Sequence, residues 1–288
     1  MKIVTHSGHF HADELLGVAV LLLKFPQSEV VRSREESVIL AGDIVIDVGQ
    51  VYDPDKLRFD HHQREGAGKR SNGIPYASFG LVWKQYGQEL AGGEEEANLV
   101  DERLVTSIDA EDNAVSLSRE MFEGVKQYSL GDYFESFTRQ ALSLADYDKG
   151  FFEALPHAQA LLEREISIAK KVVSDWHEVQ SIFDQSERKE VIVLPEGKSW
   201  KRVLVPTEAL FVVFPRPDGQ WSARTVPKKL HGYEVKKPFP ASWGGLSQEE
   251  LRKVSGVGDA TFCHRGLWLA NALSREGALE LAERALNA

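Results

Sequence analysis

Short apolar runs alternate with helical patterns over the N-terminal part of the chain. The leucine-rich stretch at 13–24 carries acids in its first turn, which favours a helix. Brief runs of β-branched and other apolar residues, typical of strands, occur at 2–5, 30–31, 44–46 and 57–59. Strands that alternate with helices predict a parallel sheet with helices on both faces, and ligands bind such a sheet at the carboxyl ends of its strands.

The rest of the chain predicts two further parts. Apolar residues at helical spacing predict helices at about 76–91, 95–109 and 133–155, followed after Pro156 by a long connecting helix at 157–186. Short apolar runs between Gly, Pro and charged residues then predict strands at 191–194, 203–205, 210–214 and 221–226, and helical patterns occupy 247–254 and 266–286. We therefore predict an α/β fold with an N-terminal domain at 1–156, the connecting helix, and a smaller C-terminal α/β domain at 187–288.

The composition indicates a folded protein without disulfides. Hydrophobic residues make up 42% of the 288 residues and charged residues 27%, which is typical of globular proteins. No apolar run approaches the roughly 20 residues of a membrane helix. The single cysteine, Cys263, excludes an internal disulfide and a thiolate metal site. We expect a cytoplasmic protein that needs neither a membrane nor an obligate protein partner, and a homodimer is left open.

Imidazole and carboxylate side chains gather near the ends of the predicted strands. Five of the nine histidines lie within the first 62 residues. Acids and histidines follow apolar runs at 6–13, at Asp47 and at 60–62, and a fourth group at 109–113 follows a helical pattern. Nitrogen and oxygen ligands at one edge of a sheet suit a site for two divalent metal ions, which most often serves the hydrolysis of phosphate esters.

Some of these residues also have a plainer structural interpretation. A lone Asp47 after a strand is more often a turn residue or a helix cap, and Asp109 alone would likewise be read as a cap. The tripeptide Asp60-His61-His62 is more specific, because an acid and two imidazoles after a buried strand have few purely structural uses. Taken together, the four groups favour a metal site.

One segment is basic although the whole chain carries a net charge of −10. Between Lys198 and Lys237, nine Lys and Arg face three acids, which leaves this basic segment with a charge of +6. Trp200, Trp221 and Tyr233 lie among these charges, and cations interleaved with aromatic rings suit an anionic substrate that carries bases. A solvated edge of a sheet would show the same pattern, so both interpretations stay open.

The order of the motifs resembles the DHH phosphoesterase superfamily, and in particular its Myg (melanocyte-proliferating-gene) branch. In the first half the resemblance rests on Thr5-His6-Ser7-Gly8, Phe10-His11, Asp13-Glu14, Asp47-Val48-Gly49, Phe59-Asp60-His61-His62-Gln63, Asp109-Ala110 and Asp112-Asn113. In the second half it rests on Pro240-Ala241-Ser242-Trp243-Gly244-Gly245-Leu246, Ser255-Gly256-Val257 and Phe262-Cys263-His264. The resemblance therefore covers nearly the whole chain.

This resemblance implies a DHH-type metal domain and a metal-dependent phosphodiesterase, with 3′→5′ exonuclease action on RNA or short oligonucleotides. Two Mn²⁺ ions are expected, with Mg²⁺ as the alternative, and a hydroxide activated by both metals would attack the phosphorus. Carried over by position, the metal ligands are His6, His11, Asp13, Asp47, His61 and Asp109. The implied catalytic residues are Asp60, His61 and His62. Asp60 would orient a neighbouring imidazole, and His62 would bind the second metal or the phosphate.

The chain also departs from the superfamily pattern. Many members carry a second aspartate two residues after the first in the first motif, where this chain has Leu15. Either a histidine replaces that ligand or one metal binds weakly. The stretch at 258–266 stands in place of the usual glycine-rich substrate loop. The expected substrate contacts are Arg224, His264 and Arg265 for phosphates and Trp243 or Trp221 for a stacked base.

Two other functions stay open. One is the hydrolysis of a small phosphate compound by a pyrophosphatase or a nucleotide phosphatase, although the basic segment favours a longer substrate. The other is a metal-binding regulatory protein without catalysis, which Leu15 keeps open.

Overall fold

Residues 1–288 are all described by a computed structural model, in which the chain divides into the units Met1–Lys170 and Lys171–Ala288. The first unit is built on a five-stranded sheet with the order β2-β1-β3-β5-β4. Its strands are β1 (Lys2–Thr5), β2 (Glu29–Arg32), β3 (Ile44–Ile46), β4 (Tyr52–Asp53) and β5 (Arg58–Phe59). All neighbours are parallel except β4, which pairs antiparallel with β5. The prediction of an α/β fold is confirmed, and the sheet is mixed at one edge.

Helices cover both faces of this sheet. They are α1 (Ala12–Lys24), α2 (Glu36–Leu40) and α3 (Ser78–Ala91). Gly17 of α1 lies against the side chain of Ile46, where a Cβ atom would overlap it, so glycine allows close approach to this face. On the other face, Val38 and Ile39 of α2 pack against Val4 and Val45. Burial of these apolar side chains fixes the positions of the strand ends.

A single helical run follows α3, and it contains an irregular turn. It consists of α4 (Glu94–Val100), a π-helical turn (Asp101–Val105) and α5 (Thr106–Asp112). The extra residue of a π turn rotates the residues that follow it about the helix axis, and such turns are frequent at functional sites. The turn therefore sets the direction in which the acids of α5 point.

The helices at the end of the first unit differ from the prediction. Helix α6 (Leu130–Glu135) is short, and α7 extends from Leu144 to Gln185 through Pro156. The prediction that Pro156 separates two helices was wrong. Proline removes one backbone hydrogen bond, but buried Phe151 and Leu155 before it and Leu162 after it hold both halves in place. No helix in the structure combines the length and apolarity needed to cross a membrane.

The second unit contains another five-stranded sheet, with the order β6-β7-β8-β10-β9. Its strands are β6 (Val191–Val193), β7 (Phe211–Pro215), β8 (Trp221–Thr225), β9 (Ala260–Cys263) and β10 (Leu269–Ala272), and its helices are α8 (Lys201–Leu204), α9 (Gln248–Ser255) and α10 (Arg275–Leu286). Strands β6 and β7 are parallel and the other pairs are antiparallel.

Two predicted elements of this unit were wrong. The predicted strand at 203–205 overlaps α8, where Leu204 is buried beside Trp200 and Val212. A run this short fits either a strand or one helical turn. The predicted helix at 266–286 begins only at Arg275, because 269–272 forms β10 between β8 and β9. Pairing with a strand on each side decides the conformation of this alanine-rich stretch, because its own secondary-structure propensity does not favour a strand.

Candidate metal centre

Polar side chains follow three neighbouring parallel strands at the points where these strands end. His6 follows β1, Asp47 follows β3, and Asp60 with His61 and His62 follows β5. The carboxyl ends of β1, β3 and β5 therefore share one edge of the sheet. Asp47 has a φ of +56°, a left-handed conformation that is uncommon for a residue other than glycine. Strain of this kind persists only where the surrounding structure holds it, and it is frequent at functional sites.

The first ligand group consists of His6, Glu14 and Asp47, all of them buried. Nε2 of His6 lies 2.8 Å from Oε1 of Glu14 and 3.3 Å from Oδ2 of Asp47. Glu14 Oε2 accepts a hydrogen bond of 2.8 Å from the His11 amide, whereas Oε1 forms no hydrogen bond of proper geometry. A buried carboxylate oxygen that faces a ring nitrogen in this way fits two ligands directed at one cation.

The second group consists of Asp47, His61 and His62. Oδ1 of Asp47 lies 3.5 Å from Nε2 of His61 and 3.5 Å from Nδ1 of His62. Asp60 supports this group: Oδ1 accepts a 3.0 Å hydrogen bond from the His62 amide and lies 2.8 Å from its Nδ1, while Oδ2 accepts from the Gln50 amide. Carboxylates that hold a ring nitrogen fix the direction of the imidazole, as in many metal sites.

The third group consists of Asp13, His61 and Asp112. Nε2 of His61 lies 3.1 Å from Oδ2 of Asp112, yet this buried nitrogen forms no hydrogen bond of proper geometry. Asp13 lies in the first turn of α1, and its oxygens accept hydrogen bonds of 3.0 and 2.8 Å from the Ser78 and Phe79 amides at the start of α3. The N-terminus of one helix thus holds an acid of another helix beside His61.

The three groups share members and therefore form one constellation. Asp47 belongs to two of them and His61 belongs to two. The unsatisfied Glu14 Oε1 and His61 Nε2 both belong to it as well. Buried nitrogen and oxygen atoms that lack a hydrogen-bond partner and face one another fit divalent ions such as Mn²⁺, Mg²⁺ or Zn²⁺.

Acids and histidines of the constellation shift one another's pKa values strongly. Burial, together with the charges of Asp47 and Asp112, raises the pKa of Asp13 well above its ordinary value. Burial lowers the pKa of the His6 imidazole, but Asp47 and Glu14 outweigh this effect and raise it to about 10. Burial alone would raise the pKa of Asp47, yet His6 and His61 bring this pKa far below its ordinary value. Protonated histidines thus balance the acids, and a bound cation would take over this function.

Comparison with known proteins shows the family of the chain. The family model MYG1_exonuc, described as Uncharacterised protein family (UPF0160), matches residues 2–286. The chain belongs to this MYG1 family. MYG1 exonuclease of Homo sapiens is 29% identical over 327 residues, which cover 99% of this chain and 85% of that protein. MYG1 protein of Chlamydia pneumoniae is 32% identical over 287 residues, which cover 96% and 93% of the two chains. MYG1 protein of Dictyostelium discoideum is 28% identical over 326 residues, which cover 100% and 97%.

Two residues expected as ligands from the resemblance to this MYG1 family lie outside the three groups. Asp109 is fully buried; its Oδ1 accepts a 3.0 Å hydrogen bond from the Gly80 amide, and its Oδ2 pairs with the Arg70 guanidinium. A Cβ atom at Gly80 would overlap the Asp109 carboxylate. Burial raises the pKa of Asp109 to about 7, although Arg70 opposes the shift. His11 is exposed, and its Nδ1 lies 3.8 Å from Asp112. Ligand roles for Asp109 and His11 stay predictions.

The ligand set expected for the MYG1 family did not include two acids of the constellation, Glu14 and Asp112. Glu14 adjoins Asp13 in the first turn of α1, and Asp112 lies one helical turn after Asp109. Residues three positions apart share one face of a helix, so the spacing from Asp109 is the sequence signal that points to Asp112.

The substrate residues predicted in the second unit have different surroundings. Arg224 lies in β8 with its guanidinium carbon 5.0 Å from the centre of the Trp268 ring. The ring of His264 is centred 4.5 Å from that of Trp268, and Arg265 is exposed. Trp243 is buried with 4% of its surface exposed and stacks on Phe239. A base needs an open ring face, so this burial argues against the stacking role predicted for Trp243.

Most cations of the basic segment have partners within the chain. Lys198 is buried, 2.6 Å from both Glu178 and Glu196. Arg216 pairs with Asp218 and Lys228 with Glu234. Backbone carbonyls accept hydrogen bonds from Lys236 and Lys237. The sequence excess of positive charge therefore overstates what this segment offers to an anionic ligand.

Proposed function

We propose that the chain is a metal-dependent phosphodiesterase, a 3′→5′ exonuclease that acts on RNA or short oligonucleotides with two Mn²⁺ ions. The position of Asp47 carries the proposal. Its Oδ2 lies 3.3 Å from His6, and its Oδ1 lies 3.5 Å from His61, so the two oxygens face different ligands. A carboxylate between two ligand sets is what two neighbouring metal ions share. The relatives named MYG1 exonuclease support a nuclease.

The ligands divide into two sets around Asp47. We assign His6, Glu14 and Asp47 to one set; the other combines the group Asp13, His61 and Asp112 with Asp47, whose Oδ1 lies 3.5 Å from His61. When bound, the two ions would supply an activated water and neutralise the charge that develops on the phosphate. The imidazoles in both sets favour Mn²⁺ over Mg²⁺, since Mg²⁺ prefers oxygen ligands alone.

The residues in front of these sets would orient the substrate. A pocket of about 910 Å³ is lined by His6, Asp47, Asp60 and His62, and its volume is within the range of small-ligand sites. Asp60 holds the half-exposed His62 ring at 2.8 Å. This ring would contact either the second ion or a phosphate oxygen. In the second unit, Arg224, His264 and Arg265 are the proposed phosphate contacts, since none of them has an acidic partner there.

One observation favours the hydrolysis of a smaller substrate as a second candidate. Several cations of the basic segment pair with acids or with carbonyl oxygens of the chain itself. This leaves a shorter cationic surface than a long nucleic acid would use. A pyrophosphatase or a nucleotide phosphatase would need no such surface.

Digestion of end-labelled substrates tests the proposal. With Mn²⁺, 3′-labelled RNA should lose its label at once as mononucleotide, while 5′-labelled RNA should shorten stepwise; EDTA should stop both. Parallel assays with DNA, pyrophosphate and nucleotides separate the candidate substrates. Asp47→Asn should abolish turnover, and Asp55→Asn, a change at an exposed acid in the turn before β5, should not. Full activity of Asp47→Asn, or no Mn²⁺-dependent release from any substrate, would overturn the proposal.

A further inference from the structure

We propose that the second unit carries a binding pocket for a nucleoside monophosphate. This pocket, called the Arg224 pocket, has a volume of about 560 Å³ and is lined by Lys201, Arg224, Leu230, Tyr233 and Trp268 among others. Its volume suits a ligand of nucleotide size. The inference deepens the proposed function and takes its meaning from it, because a nucleoside monophosphate is the product of an exonuclease. Binding itself requires no catalysis.

The phosphate half of the pocket rests on Arg224. Its side chain is partly buried in β8, and no carboxylate lies within ion-pair distance of it. Burial without an acidic partner lowers the pKa of this guanidinium. A buried charge without a counterion costs free energy, which a bound anion would offset. The planar guanidinium matches two oxygens of a phosphate at once.

The surroundings hold Arg224 in one place. Its guanidinium carbon lies 5.0 Å from the centre of the Trp268 ring, a cation–π distance. Thr225 Oγ1 donates a 3.3 Å hydrogen bond to the Trp268 carbonyl, which ties the next residue of β8 to the same position. Lys201 adds a second cation at the pocket wall, and no Asp or Glu lines the pocket. The pocket therefore selects an anion.

The other half of the pocket suits a base. Tyr233 has a fully exposed ring, and Leu230 is half-buried beside it in the chain. An exposed aromatic ring on the rim of a cationic pocket offers a stacking surface, and base–aromatic stacking contributes about 1–3 kcal/mol per base. The ligand should therefore carry a ring as well as a phosphate.

Calorimetric titration of the full chain in EDTA tests this inference with AMP, adenosine and inorganic phosphate as ligands. In EDTA no metal ion holds a phosphate near Asp47, so the loss of binding in Arg224→Ala reports on the Arg224 pocket. The matched variants are Arg224→Ala and Arg216→Ala, since Arg216 is a surface arginine paired with Asp218. Tyr233→Ala tests the part of the pocket that would hold the base. The Tyr233 side chain is fully exposed, so its removal should leave the fold intact. Circular dichroism checks the fold of each variant.

AMP should bind the native chain and Arg216→Ala with equal affinity. The Arg224→Ala substitution should lower the affinity for AMP at least about tenfold, as expected for loss of a charge-assisted hydrogen bond. Tyr233→Ala should lower the affinity for AMP by about tenfold and leave the affinity for phosphate unchanged. Absence of AMP binding, equal binding by folded Arg224→Ala, or equal affinities for AMP and phosphate would overturn the inference. If the chain cleaves no RNA but binds AMP in this way, the proposed function is disproved, whereas the inference about the Arg224 pocket is upheld.

Discussion

Oδ2 of Asp112 lies 3.1 Å from Nε2 of His61, which joins the last turn of α5 to the end of β5. One turn earlier on the same helix, Asp109 pairs with Arg70. One helix thus directs one acid to the candidate metal centre and another to a buried arginine. The two acids should have different functions, and substitutions can separate them.

Asp112→Asn should weaken Mn²⁺ binding by about 10- to 100-fold, since it removes a negatively charged oxygen ligand beside His61. The matched control is Glu111→Gln, because the neighbouring Glu111 carboxylate accepts a hydrogen bond from Ser129. Metal content after dialysis and calorimetric titration with Mn²⁺ measure the effect. Native affinity in Asp112→Asn would show that this acid is no ligand.

Arg70→Ala should lower the free energy of unfolding by about 3 kcal/mol or more, because it leaves the buried Asp109 carboxylate without its cation. Both side chains are almost inaccessible, with 7% and 0% exposed. Urea denaturation of the metal-free chain measures the loss. The double variant Arg70→Ala/Asp109→Asn should recover part of it, and strictly additive losses would contradict a direct pair.

Metal binding should release protons. In the metal-free chain, burial lowers the pKa of His61, but Asp112 and Asp47 outweigh this effect and raise it to about 11. The pKa of His6 is raised to about 10. Both values exceed the ordinary 6.5, so these protonated rings contribute stability that is fully present below pH 6.5 and lost as pH rises through 10 and 11. Metal ions bind neutral imidazole, so Mn²⁺ affinity should rise about tenfold per pH unit for each proton released.

Calorimetry in buffers with different ionisation enthalpies counts the released protons. The apparent binding enthalpy should change with the buffer at neutral pH. An enthalpy independent of the buffer, together with an affinity independent of pH, would contradict proton displacement from these histidines.

Lys198→Ala should reduce stability without changing nucleotide binding. Its ammonium group is buried between Glu178 and Glu196, and loss of these charge-assisted bonds should cost about 1–3 kcal/mol. Thermal unfolding measures this, with the exposed Lys229→Ala as control. A selective loss of AMP or RNA affinity in Lys198→Ala would instead place this lysine in a binding surface.

Local pattern was sufficient for the four parallel strands of the first sheet, whereas the edge strand β4 (Tyr52–Asp53) was not predicted. The apolar runs before His6 and Asp47 and the acid-histidine group at 60–62 place polar residues directly after strands in any parallel arrangement. The α/β class and the family followed from the same residues. Local pattern failed at 203–205 and at 269–272, because partners remote in sequence decide whether such short runs form strands.

The sequence by itself determined which residue types follow the strands and thus the chemistry on offer, namely imidazole and carboxylate groups that suit divalent ions. Only the tertiary structure decided which acid of α5 faces His61, because the π turn and the buried Arg70 set the direction of each side chain. The tertiary structure also decided which cations can bind an anionic ligand. Lys198 lies between two acids, whereas Arg224 has no acidic partner. Distances between residues remote in the chain fix these outcomes, and residue order alone does not contain them.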